Sequence, residues 1–315
     1  MTEPYAAAAG LVRVYPAREP NGTGLVWAHG GGFAFGDLDM PEADGVAHAL
    51  ATAGTTVVSV DYRLAPVTAA FGVSLDAPER AGVHYPAPSD DILTAWAWVS
   101  QNADRLRIDV SRLAIGGASA GANLVTGATL RLVASGDALP ALVVLAYPTL
   151  LAVQPAPDAA LRAALDANPA ADRFPPAAIR AMYENYLGGS IEGAPLPAIP
   201  GLASADDLAG FPPTLMINGD ADELRVSGEA FAATLAAAGR PVELRVEAGT
   251  EHGHLNRPGP AASASLDLIA ARLVALPSLT PAPQSRSADA ASTHSHLATA
   301  EPHRASGAVT EGTPS

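Results

Sequence analysis

A serine framed by small residues, Gly117-Ala118-Ser119-Ala120-Gly121, is the stretch of this chain most clearly built for chemistry. It closes the apolar run Leu113–Gly117 and opens a helical pattern through Asn123 and Leu124. A serine at such a strand-to-helix reversal adopts a strained backbone, and the chain passes so close on either side that flanking Cβ atoms would clash. Glycines two before and two after remove those atoms. The turn lifts the hydroxyl above the sheet, at the positive end of the following helix. Chance alone would produce one G-x-S-x-G in roughly every six chains of this composition, so the pattern needs partners.

A serine hydroxyl is a poor nucleophile at neutral pH and needs a base to take its proton; an imidazole base in turn needs a carboxylate to fix its tautomer. Later apolar runs end in both residue types. Pro213–Gly219 is followed by Asp220 and Asp222, and Val242–Val246 leads to His252 and His254. Either acid and either histidine satisfies the chemistry. His29-Gly30-Gly31-Gly32 supplies a further part, because glycines let backbone N–H groups converge on a developing oxyanion. That tetrapeptide should arise at random in well under about one per cent of such chains.

These loops require elements to hold them. Leu25–Ala28 and Thr55–Val60 read as buried strands, with a shorter strand at Leu11–Tyr15. Pro41 opens a helix through Val46, Leu50 and Ala53, stopped by Gly54, and Ser89-Asp90-Asp91 starts another bearing Ile92, Trp96 and Val99. A helix follows Ser119 to about Ala134, then the strand Ala141–Ala146. Further on, a helix at about Val226–Ala238 precedes the strand Val242–Val246, and a last helix runs to about Leu276. Continuous apolar strands alternating with helices mean a mostly parallel sheet covered on both faces, with its site at loops after the strands. Residues 149–210 break the rhythm and are expected to form an inserted helical cap. Its stripe Ile179, Met182, Tyr183, Tyr186 and Leu187 reads as packing, over a pocket or otherwise. Residues 67–88 form an extra Pro- and Gly-bearing loop. The expected organisation is a hydrolytic-type α/β domain over 1–276 and a disordered, Pro-, Ser- and Ala-rich tail over 277–315.

Composition narrows the chemistry. The 315 residues contain no Cys, which excludes disulfides, thiolate nucleophiles and Cys-ligated metal centres. The formal charge is −14, of which the tail contributes only two arginines against three acids. Such a surface repels nucleic-acid phosphates and anionic membranes. Neither a signal peptide nor a run of about 18 apolar residues is present, which implies a cytoplasmic protein. The oligomeric state stays open, with a homodimer among the alternatives.

His29-Gly30-Gly31-Gly32-Phe33, Asp61-Tyr62-Arg63-Leu64-Ala65-Pro66, Gly117-Ala118-Ser119-Ala120-Gly121, Asp220-Ala221-Asp222-Glu223-Leu224-Arg225 and His252-Gly253 together resemble the bacterial hormone-sensitive-lipase-like esterases of the α/β-hydrolase superfamily. The order Ser, Asp, His is the one these hydrolases use. The resemblance spans roughly residues 20–276. It implies hydrolysis of small, short-acyl carboxylic esters through an acyl-enzyme, without metal or cofactor. It casts Ser119 as nucleophile, His252 as base and acid, and Asp222 as the residue orienting His252. The N–H groups of Gly31, Gly32 and Ala120 become the oxyanion hole, and His29 and Gly30 brace it. Asp61 and Arg63 read as structural, through ion pairing below the site.

The match has departures. Ala118 stands where the family often has Asp, and Asp222-Glu223-Leu224 replaces a usual Asp-Pro-Leu, which keeps Asp220 in contention. His254 competes with His252 in the same way. An amide, lactone or carbonate would suit the same machinery, and a non-catalytic ligand-binding role would suit the same fold, although the persistence of every motif together favours an enzyme. Deleting residues 280–315 is expected to leave the melting temperature and esterase turnover unchanged, as thermal scans and initial rates would show.

Overall fold

The computed structural model describes residues 3–68 and 78–278. The expected tail from 279 onward, and residues 69–77 of the extra loop, lie outside the described residues. Within them the chain forms β1 (Tyr5–Ala7), β2 (Val12–Tyr15), β3 (Gly24–Ala28), α1 (Val46–Thr52) and β4 (Thr56–Val60). Next come α2 (Ala87–Gln101), α3 (Ala103–Leu106), β5 (Leu113–Ala118), α4 (Ala120–Ser135) and β6 (Val143–Ala146). After an insertion holding α5 (Ala159–Ala167) and α6 (Pro176–Leu187), the chain completes the fold with β7 (Thr214–Ala221), α7 (Arg225–Ala237), β8 (Val242–Glu251) and α8 (Pro260–Val274).

The eight strands make one sheet in the order β1-β2-β4-β3-β5-β6-β7-β8. Pairing is antiparallel for β1–β2 and β2–β4 and parallel from β4 onward. β3, β4, β5 and β6 are buried along their whole length, as a sheet sandwiched between helices demands. Alternation along β3 shows the division: Val26 and Ala28 join the core beneath α2 and α4, whereas Leu25 and Trp27 join that of α1 and α8. β3, β5, β6 and β7 lie side by side at the centre, so the loops following them gather along one rim. No helix among the described residues is long and apolar enough to cross a membrane.

Several elements depart from the sequence reading for identifiable reasons. The helix expected from Pro41 divides into a wide turn, Pro41–Gly45, and α1. α2 begins at Ala87 and not at Ser89, because the Ser89 hydroxyl is buried and accepts a hydrogen bond from Arg131 at 2.9 Å. β8 runs five residues beyond Val246 to Glu251, and Asp220 sits inside β7 instead of beyond it. As an edge strand β8 is half exposed, so its polar second half carries no apolar signal.

The ion pair expected of Asp61 and Arg63 is made differently. Arg63 engages Asp91 of α2, its backbone N–H donating to Oδ2 at 2.9 Å, its Nε at 2.9 Å and its Nη2 to Oδ1 at 2.8 Å. Asp91 is buried, and a fork-shaped guanidinium matches a carboxylate two bonds at a time. This clamp ties the loop after β4 to α2. Asp91→Ala is expected to lower unfolding free energy by about 1–2 kcal/mol, the Arg63 head being half exposed. Asp61→Ala should change it by no more than about 0.5 kcal/mol. Chemical denaturation of both variants would measure the difference.

Candidate active site

Ser119 occupies the sharpest corner of the sheet. Its φ and ψ are 52° and −116°, a region that side chains rarely enter, and it caps α4 without using its hydroxyl to do so. The strain is enforced from both sides. A Cβ at Gly121 would lie 2.3 Å from the carbonyl oxygens of Ala28 and His29, and one at Gly117 would lie 2.6 Å from Gly121 itself. The Ser119 N–H donates to the Ala146 carbonyl at 2.9 Å, fixing the corner to β6.

The freed hydroxyl lies 2.9 Å from His252 Nε2, and His252 Nδ1 lies 2.8 Å from Asp222 Oδ2. An ionised carboxylate only accepts, so Nδ1–H donates to Asp222 and Nε2 remains an acceptor for the serine proton. All three side chains are buried. Asp222 is itself held by the Leu224 N–H at 2.9 Å. The imidazole stands edge-on to two rings, Tyr147 at 5.0 Å and Phe174 at 4.8 Å between centroids.

The competing residues are placed elsewhere. Asp220 accepts from the Gly249 N–H at 3.1 Å and pairs with Arg225 at 3.5 Å, joining β7 to β8 and to the start of α7. His254 turns its Nε2 to the Ser265 hydroxyl at 2.9 Å, away from Ser119. Burial, reinforced by the neighbouring His252, holds its pKa down at about 4.

The glycine loop closes the other side. Gly31 and Gly32 carry positive φ values of 111° and 58°, and a Cβ on Gly31 would fall 2.1 Å from the Phe35 carbonyl oxygen. Both glycines line a cavity of about 500 Å³ that also reaches Ser119 and His252. Ala120 is the first residue of α4, whose initial N–H groups have no carbonyl of their own helix to bind. His29 lies outside the cavity lining. Its Nδ1–H donates to the Gly30 carbonyl at 2.7 Å, its ring stacks on Tyr62 at 4.5 Å, and burial keeps its pKa below the usual value.

The insertion between β6 and β7 forms the cavity's outer wall. Ala178, Ile179 and Met182 of α6 face the cavity, with Phe174 and Arg173 beside them. Arg173 donates to the His252 carbonyl at 3.2 Å and lies over the Phe174 ring. The other half of the α6 stripe packs downward. Tyr186 stacks on Phe33 at 4.1 Å, and Tyr183 hydrogen-bonds Asn123 and the Thr149 carbonyl, each at 2.9 Å.

One buried carboxylate at the site escaped the sequence reading. Glu42, in the turn before α1, accepts from the Gly30 N–H at 2.8 Å and from the Tyr147 hydroxyl at 2.7 Å. An acid just after Pro41 looks like any favourable charge in a first helical turn. Nothing in its spacing distinguishes it.

Comparison with known proteins places this geometry in context. A family model described as alpha/beta hydrolase fold matches residues 25–256. Carboxylesterase NlhH of Mycobacterium tuberculosis is 38% identical over 250 residues, covering 78% of this chain and 71% of the relative. An ethyl acetate hydrolase of Pseudomonas putida is 32% identical over 253 residues, covering 76% and 70%. Among solved structures, the thermostable carboxylesterase EstE1 from a metagenomic library superposes with a TM-score of 0.69 at 29% identity, over 86% of this chain and 87% of that one.

His254 gives this region a measurable acid sensitivity. Its folded pKa of about 4 lies below the ordinary imidazole value of 6.5, so on acidification the unfolded chain binds its proton first. The stability involved is complete above pH 6.5 and drains as the pH falls toward 4. His254→Gln is therefore expected to lose less of its melting temperature than wild type between pH 7 and pH 4.5, as calorimetry would detect.

Proposed function

The chain belongs to the hormone-sensitive-lipase-like branch of the α/β-hydrolase family, and on that premise we propose that it hydrolyses small, short-acyl carboxylic esters through an acyl-enzyme on Ser119. The observation that carries this reading is the unbroken run from Ser119 Oγ to His252 to Asp222, at 2.9 and 2.8 Å, opening into a mostly apolar cavity beside the glycine loop. The relatives that share the fold, a carboxylesterase and an ethyl acetate hydrolase, support the same bond type and size of substrate.

In the proposed cycle, Ser119 Oγ attacks the ester carbonyl carbon as its proton passes to His252 Nε2. The carbonyl π electrons move onto oxygen, and that oxyanion is received by the N–H groups of Gly31, Gly32 and Ala120. Each such donor is typically worth about 10²–10³ in rate, because it is already aimed where charge develops. Collapse expels the alcohol, which takes its proton from the imidazolium and leaves an acylated serine. Water then attacks, gives a proton to His252 and releases the acid, and the imidazolium returns the proton to Ser119. Asp222 keeps Nδ1 protonated throughout and stabilises the cation that forms twice per cycle. The cavity, about 500 Å³ and walled by Phe174, Ile179, Met182 and Leu224, has the dimensions of a small-molecule site and suits a short acyl chain.

With p-nitrophenyl esters of increasing acyl length, the wild-type protein is expected to show burst release and a preference for the shortest chains. Ser119→Ala should abolish both burst and turnover while retaining the folded circular-dichroism spectrum; wild-type turnover in that variant would end the assignment. Asp222→Asn should lower kcat by about 10²–10⁴. Asp220→Asn, whose side chain contacts β8 instead, should stay within about tenfold of wild type.

A further inference from the structure

Glu42 is buried at the wall of the cavity, yet the proposed ester-hydrolysis cycle gives it no proton to move. Its four polar contacts tie together segments distant in the chain. Oε1 accepts from the Gly30 N–H at 2.8 Å, and Oε2 accepts from the Tyr147 hydroxyl at 2.7 Å. Its backbone carbonyl accepts from the Trp27 indole at 2.7 Å, and its backbone N–H donates to Asn256 Oδ1 at 3.2 Å. The loop after β3, the end of β6 and the loop carrying His252 all meet at this one residue.

We propose that Glu42 is the positioning residue of the oxyanion loop: its carboxylate fixes the His29–Gly30 peptide so that the next two N–H groups, those of Gly31 and Gly32, point at the reacting carbonyl oxygen. Three observations converge on this. The hydrogen bond is made by the peptide immediately preceding the two donors, so its plane sets where they aim. Gly30 lacks a side chain because the carboxylate occupies that volume: a Cβ there would lie 2.5 Å from Glu42 Oε1 and 3.0 Å from the Ser119 Cβ. The second carboxylate oxygen anchors Tyr147, whose ring stands edge-on to His252 at 5.0 Å, so the loop and the base share one fixed reference.

A carboxylate beside an oxyanion site, when ionised, opposes the charge that develops there. Its burial there, with both oxygens hydrogen-bonded, therefore speaks for geometry. Carboxylates hold N–H groups in shorter, more directional bonds than neutral acceptors do, and a donor misaligned by about 1 Å can cost about 100-fold in rate.

This inference rests on Gly31, Gly32 and Ala120 receiving the oxyanion, and the test separates the two levels. Glu42→Ala and the shortened Glu42→Asp are assayed with a short p-nitrophenyl ester, alongside Ser119→Ala. Both Glu42 variants are expected to lose kcat, about 10- to 100-fold for Ala, with KM within about threefold. Affinity for a boronic acid, which forms an oxyanion-like adduct with the serine, should fall in step. Affinity for a non-reactive aryl ether of the same shape should not. Glu42→Gln retains an acceptor for Gly30 and a contact for Tyr147, and is expected to recover most of the lost kcat. Wild-type kcat in Glu42→Asp, equal losses for boronate and ether, or a Gln variant as impaired as Ala would each overturn the positioning role. Full turnover in Ser119→Ala would instead overturn the reading beneath it.

Discussion

Two backbones approach each other at the top of this sheet more closely than any side chain would permit. The end of β3 passes directly over the corner where β5 becomes α4, and only the absent Cβ atoms of Gly117 and Gly121 allow the contact. Everything at the site is referred to that approach. It forces Ser119 into its strained conformation, brings the glycine loop alongside the serine, and starts α4 directly after the serine that lines the cavity. The strain at Ser119 persists because three neighbours over-determine it: β3 on one side, β6 through the Ala146 carbonyl on another, and the body of α4 behind.

Around that corner the charges are arranged by burial. Asp222 lies fully inside the protein with both oxygens engaged, one by His252 and one by the Leu224 N–H, so its charge has compensation wherever the imidazole proton resides. His29 and His254 flank the same region, and burial keeps both from acquiring charge near neutrality. Among these three rings, His252 alone has a carboxylate at its far nitrogen and a hydroxyl at its near one. The two neighbouring rings are hydrogen-bonded elsewhere, His29 to the Gly30 carbonyl and His254 to Ser265.

Much of the sheet and the site's candidates were legible because their signals are local. The strands β3, β5, β6 and β7 are continuous apolar runs, and the glycine spacing about Ser119 follows from sterics within five residues. What escaped depends on contacts between distant segments. Arg63 finds its partner in Asp91 because α2 packs beside the loop after β4, which no spacing within the motif reveals. The choice between Asp220 and Asp222 turns on a register irregularity between β7 and β8, located between Gly219 and Ala221. β8 was read five residues short because an edge strand need not be apolar. Glu42 was invisible for the opposite reason: as a residue it is ordinary, and its partners come from three other parts of the chain.

The insertion between β6 and β7 shows a division of labour along a single helix. One side of α6, through Tyr183 and Tyr186, is locked onto Phe33, Asn123 and Thr149, which belong to the hydrolase core. The adjoining side, through Ala178, Ile179 and Met182, lines the cavity, with Ile179 and Met182 also reaching the core beneath it. Substitution on the second side resizes the chamber without disturbing the first, so descendants of this chain can trade one ester for another while the reacting groups stay where they are. Selectivity here is a veneer that evolution, or a protein engineer, can replace on an unchanged engine.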